Sequence, residues 1–129
     1  MRRVGALVLA VLGLWSCPSA RPKVQADNLY QHWVRSHEEE EPAGTVEVFR
    51  PASSKEFPPS RFRMAYKFSQ NGDCEYHVLS PDDAHRFDAC TWRVVEGDHA
   101  RLEIAAIETR TSFKIVELSE GLLRLEPIE

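Results

Sequence analysis

The chain has 129 residues, of which 43% are hydrophobic and 28% charged, and its formal charge is −4. That length holds one domain, and so apolar a chain is not intrinsically disordered. Loss of residues 1–16 would take Arg2 and Arg3 from the 16 basic side chains, leaving 14 against 20 acidic, or −6. An acidic domain without basic clusters is a poor match for nucleic acid or for an anionic membrane surface.

Met1-Arg2-Arg3 is a positive start, and residues 4–14 are an unbroken apolar or glycine run of 11 residues. This matches a secretory leader and is too short to span a bilayer. Leu14-Trp15-Ser16-Cys17 resembles a bacterial lipobox, in which a lipid is attached to the cysteine before cleavage on its N-terminal side. The expectation is a signal peptide over residues 1–16, a lipidated Cys17 heading a tether over 17–28, and a β-domain over 29–129. A conventional leader cut after Ala20 is the alternative. Assigning Cys17 to lipid or to the leader leaves Cys74 and Cys90, which an oxidising compartment would join as a disulfide.

Beyond the tether the hydrophobic period is two. A short helical turn over residues 28–33 would cap one end, with first strands near 33–37 and 45–50. In residues 61–68, Phe62, Met64, Tyr66 and Phe68 share one face and Arg61, Arg63 and Lys67 the other, the pattern of a half-buried strand. Asn71-Gly72 then signals a hairpin. A three-residue loop with Gly72 left-handed sets Phe68 against Cys74, Tyr66 against Tyr76 and Met64 against Val78, gathering apolar side chains on one side. Around Pro81-Asp82-Asp83, pairing Ser80 with Ala84 brings Cys74 opposite Cys90, within bridging distance. The same register turns Arg86 and Asp88 inward, which requires either an open barrel end or a bulge. Past Gly97, Val94 meets Leu102 and Trp92 meets Ile104; past Ser119-Glu120-Gly121, Phe113 and Ile115 face Leu123 and Leu125. The sum is about eight strands in consecutive hairpins, the pattern of a small antiparallel up-and-down barrel; an open sandwich is the alternative.

Trp33, His37-Glu38-Glu39, Gly44, Val46, Phe49-Arg50-Pro51 and Pro59-Ser60-Arg61 together resemble a bacterial lipocalin-like family of small β-barrel domains, over about residues 30–95. The resemblance implies a lipocalin-type barrel and brings no substrate or reaction. It also implies a domain shorter than a typical ligand-carrying lipocalin.

Residues 38–41 are four consecutive glutamates. Cation sites need oxygens converging from several directions, so a solvated loop with one or two carboxylates on Arg61 or Arg63 is the expected reading. His32, His37, His77, His85 and His99 show no ligand spacing, and no GxSxG or free nucleophilic cysteine is present. The sequence therefore points to a noncatalytic domain without metal or cofactor, anchored by its N-terminal lipid on the periplasmic face of a bacterial envelope. A small apolar or lipid ligand would meet Trp33, Met64, Tyr66 and Trp92, unless those rings simply fill the barrel. Two further readings stay open. One is a periplasmic inhibitor of a protease or lysozyme, contacting a protein partner through the tether or the glutamate loop; the other is a structural envelope lipoprotein.

Overall fold

The computed structural model describes residues 25–129. The signal segment, Cys17 and most of the tether lie outside the described residues. Eight strands close into one antiparallel barrel: β1 (His32–Arg35), β2 (Glu47–Pro51), β3 (Ala65–Phe68), β4 (Asp73–Leu79), β5 (His85–Val95), β6 (Arg101–Ala105), β7 (Arg110–Leu118) and β8 (Leu123–Ile128). Alternation explains the closure, since odd or even positions of each strand carry the apolar residues and all of these sets point to one side. Trp33, Phe49, Tyr66, Phe68, Leu102, Ile104, Phe113, Ile115, Leu123 and Leu125 form one buried cluster there.

From β3 to β8 the chain is a meander of hairpins, and the registers inferred from the sequence hold in the first three. Tyr66 pairs with Tyr76 and Phe68 with Cys74, around a turn in which Gly72 has φ +91°. Cys74 pairs with Cys90 and the two are joined as a disulfide, with Cα atoms 4.8 Å apart. Trp92 meets Ile104 and Val94 meets Leu102. In the last hairpin Ile115 meets Leu125 as expected, but a bulge between Ile115 and Glu117 sets Leu118, not Ile115 or Phe113, opposite Leu123, and Phe113 opposite Pro127.

Two details differ from a plain meander. β1 lies between β2 and β3, and β2 closes on β8. β2 and β3 therefore run in the same direction, so residues 52–64 must travel the length of the barrel to join them. Pro51, Pro58 and Pro59 suit such a crossing and not a tight hairpin. The strand expected over 61–68 consequently begins only at Ala65. Phe62 is not on the inner face with Met64: its ring stacks on His77, an outer-face residue of β4, with centroids 4.7 Å apart.

The two barrel ends are unlike. A 3₁₀ turn (Ala26–Leu29) closes the end where β1 begins, taking in the last part of the expected tether. Leu29 is fully buried there, and its carbonyl accepts the Trp33 indole N–H at 3.2 Å. Gln31 Nε2 ties the same end to the β7–β8 turn through the Glu120 carbonyl. Strand direction puts the β4–β5 and β6–β7 turns at the opposite end, and with them the mouth.

Candidate functional site

The interior between the ends is mostly occupied by side chains. Trp33 and Phe49 are fully buried, and the Tyr66 and Phe68 rings stack at 5.6 Å. Trp92 belongs to the closed end: its ring meets Phe68 at 5.3 Å and Tyr30 at 5.8 Å, and its indole N–H points at the carbonyls of Ser69 and Asp73. Of the four aromatic or sulfur side chains expected around a ligand, the structure brings Met64 and Tyr66 to one open space and leaves Trp33 fully buried at the other end, while Trp92 packs at that end and also borders a separate depression over β5, β6 and β7.

That space is a depression of about 170 Å³ at the mouth, lined by Met64, Tyr66, Tyr76, Ile104, Ala106, Thr109 and Thr111. Its walls come from Met64, β3 and β4 on one side of β5 and from β6, β7 and the turn between them on the other. Ala106 and Thr109 contribute little bulk at the β6–β7 turn. Its volume is close to the ~150 Å³ of an apolar cavity that admits benzene, and below the ~300 Å³ at which drug-sized pockets begin. It therefore fits a ring or a short aliphatic end, not a whole lipid.

Polar groups stand beside it. Arg35 on β1 and Glu47 on β2 also face inward near the mouth and approach to 3.3 Å, while Arg35 makes a two-pronged bond to Glu40. Burial raises the Glu47 carboxyl above its ordinary value, against the opposing pull of Arg35. Burial likewise pushes the Tyr66 phenol up, and Glu47 adds to the shift. The phenol is thus held neutral, a polar atom beside the apolar Met64 and Ile104.

The glutamate run is clamped. Glu38 accepts from Arg63, Glu39 from Arg50 and Glu40 from Arg35 and the Val48 backbone N–H. These arginine bonds hold the Glu38 and Glu39 carboxyls at about 2. Arg63 takes the expected role of partner; Arg61 instead reaches Asp83 in the β4–β5 turn, at 3.7 Å. Arg86 and Asp88 do face inward without a bulge, as the open-end alternative required; they pair with each other at 2.9 Å where the β4–β5 hairpin projects past the mouth.

On the outer face, sequence reasoning missed a histidine cluster. His77 Nε2 lies 2.8 Å from His85 Nδ1, and His77 Nδ1 lies 2.6 Å from the Arg63 carbonyl. A carbonyl only accepts, so His77 Nδ1 carries the hydrogen and His85 Nδ1 donates to His77 Nε2 in the neutral pair. Phe87 extends the stack and meets His32 edge-on, and His32, desolvated beside Lys67, has its pKa lowered. The signal was present: opposing Cys74 to Cys90 also opposes His77 to Phe87, which sets His85 diagonal to His77 on one face. Among the described residues no group of three metal-type side chains converges.

Comparison with family models, with curated proteins and with solved structures finds no match to this chain.

Proposed function

We propose that the domain is a noncatalytic, lipocalin-like binding module held at the periplasmic face of a bacterial envelope through lipid on Cys17. It takes the apolar end of a small molecule or lipid into the barrel mouth. The observation that carries this reading is the depression of about 170 Å³ walled by Met64, Tyr66, Tyr76 and Ile104. Met64 supplies an adaptable apolar wall, Tyr66 and Tyr76 flat ones, and Thr109 and Thr111 hydroxyls for a polar group at the rim. Trp33 and Trp92 support the site from the filled interior and do not touch the occupant.

The ligand's remaining bulk would stay outside, which matches a carrier that presents a molecule at a membrane surface and not one that encloses it. Native mass spectrometry of protein purified from cells tests the proposal. Wild-type protein should carry a co-purifying small molecule that Thr111→Trp, which fills the mouth, releases. A folded wild-type protein without bound mass, before and after incubation with envelope lipid extract, would overturn it.

A further inference from the structure

β5 (His85–Val95) has two halves with different neighbours. Residues 91–95 pair with β6, and Thr91 with β4 as well, whereas residues 85–90 have β4 on one side and, among the described residues, no strand on the other. Trp92 donates its backbone N–H to Gly72, toward β4. Backbone direction alternates along a strand, so the N–H and C=O groups of His85, Phe87 and Ala89 face the unpaired side.

The chain covers the matching edge of β4 and not this one. Beside β4, the Arg63 carbonyl meets His77, Phe62 stacks on the same ring and Arg61 reaches Asp83. Beside β5 no such cover is present among the described residues. Nor does the Phe87 side chain screen the edge: its ring leans over β4 and β3, stacked on His77 with Lys67 Nζ 4.0 Å above it. Ala89 is exposed and carries only a methyl group.

We propose that this edge pairs with the same edge of a second copy of the chain, antiparallel and two-fold symmetric about Phe87. Inward-facing charge ordinarily protects an open edge, and Arg86 and Asp88 would repel most strands. Their alternation admits one partner, however. Residues with outward-facing amides must oppose one another, which allows symmetric pairings centred on residues 86, 87 or 88. Centring on Arg86 sets arginine against arginine, and centring on Asp88 sets carboxylate against carboxylate. Centring on Phe87 sets each Arg86 against the Asp88 of the second copy, at the closely spaced positions where side chains approach most. It also engages the amides of His85, Phe87 and Ala89 together. The charge order thus selects both the occupant and the register, in an isologous interface that closes on itself.

Sedimentation velocity on the full purified chain, over a series of concentrations, tests this. The wild-type chain should show a monomer–dimer equilibrium. Asp88→Arg alone and Arg86→Asp alone should each raise the dimer dissociation constant roughly tenfold or more, by setting like charges opposite. An equimolar mixture of the two variants should restore dimers, because each supplies the sign that the other lacks. Ala89→Pro, which removes an outward-facing N–H and leaves the bonds to β4, should also give monomers. A circular dichroism spectrum like that of the wild type verifies that each variant is folded. Wild-type chains that stay monomeric, dimers indifferent to both charge reversals, or folded variants that fail to recombine would each overturn the proposal.

Discussion

Glu38 and Glu39 show how single bonds set a pH response. Arg63 and Arg50 hold these carboxyls at about 2, against the usual 4.5. A depressed folded-state pKa stabilises above the unfolded value and ceases to as pH falls toward the folded one. The thermal midpoint should therefore drop as pH is lowered from 4.5 to about 2, and replacing Arg63 and Arg50 by Gln should flatten that drop. Glu47 acts in the opposite sense, because burial raises its pKa and protonation relieves the cost. Arg35 is the residue on which Glu47 and Glu40 both depend, and its side chain is 29% exposed. Arg35→Met leaves two partly buried carboxylates without their cation, and should cost about 2 kcal/mol in denaturant unfolding, a discounted figure for a pair not fully desolvated. Gly72, at φ +91°, needs no side chain to avoid strain; Gly72→Ala should cost about 1 kcal/mol, since the new Cβ meets only ordinary contact at 3.7 Å.

Among the elements, the β4–β5 hairpin is the most constrained and the most exposed. The disulfide Cys74–Cys90 closes a separation of 16 residues at its base. Reduction should lower unfolding free energy by about 3 kcal/mol, measured by denaturant titration with and without reductant. This hairpin was also the most legible in the sequence, because Asn71-Gly72, the Pro81-Asp82-Asp83 turn and the two cysteines fix one register between them. The crossing of residues 52–64 from β2 to β3 was not legible. Residues 61–64 alternate as a strand does, yet Arg63 bonds to Glu38 and to the Arg35 carbonyl across the barrel wall, and those long-range bonds leave no trace in local periodicity. The inward Arg86 and Asp88 left an open end and a bulge equally available, because the choice depends on β6 beginning to turn at Ala106, a property of a different element.

At the scale of the whole molecule, a barrel of eight strands is only just wide enough for its own side chains. Trp33, Phe49, Phe68 and Phe113 fill it, so the interior acts as a core and not as a calyx. Phe49→Ala should cost about 3–5 kcal/mol for that reason. The sequence displayed the aromatic residues but not their depth, since an inward position near the closed end and one near the mouth have the same alternation. Depth follows from closure, from the 3₁₀ turn with Leu29 at one end and small residues at the other. Titrating the ¹⁵N-labelled protein with indole and following its amide and tryptophan side-chain signals tests this division most directly. Shifts should be confined to the mouth, at Met64, Tyr66, Tyr76, Ile104, Ala106, Thr109 and Thr111, with the Trp33 and Trp92 indole N–H signals unmoved. Movement of those two signals, with the mouth unaffected, would contradict it.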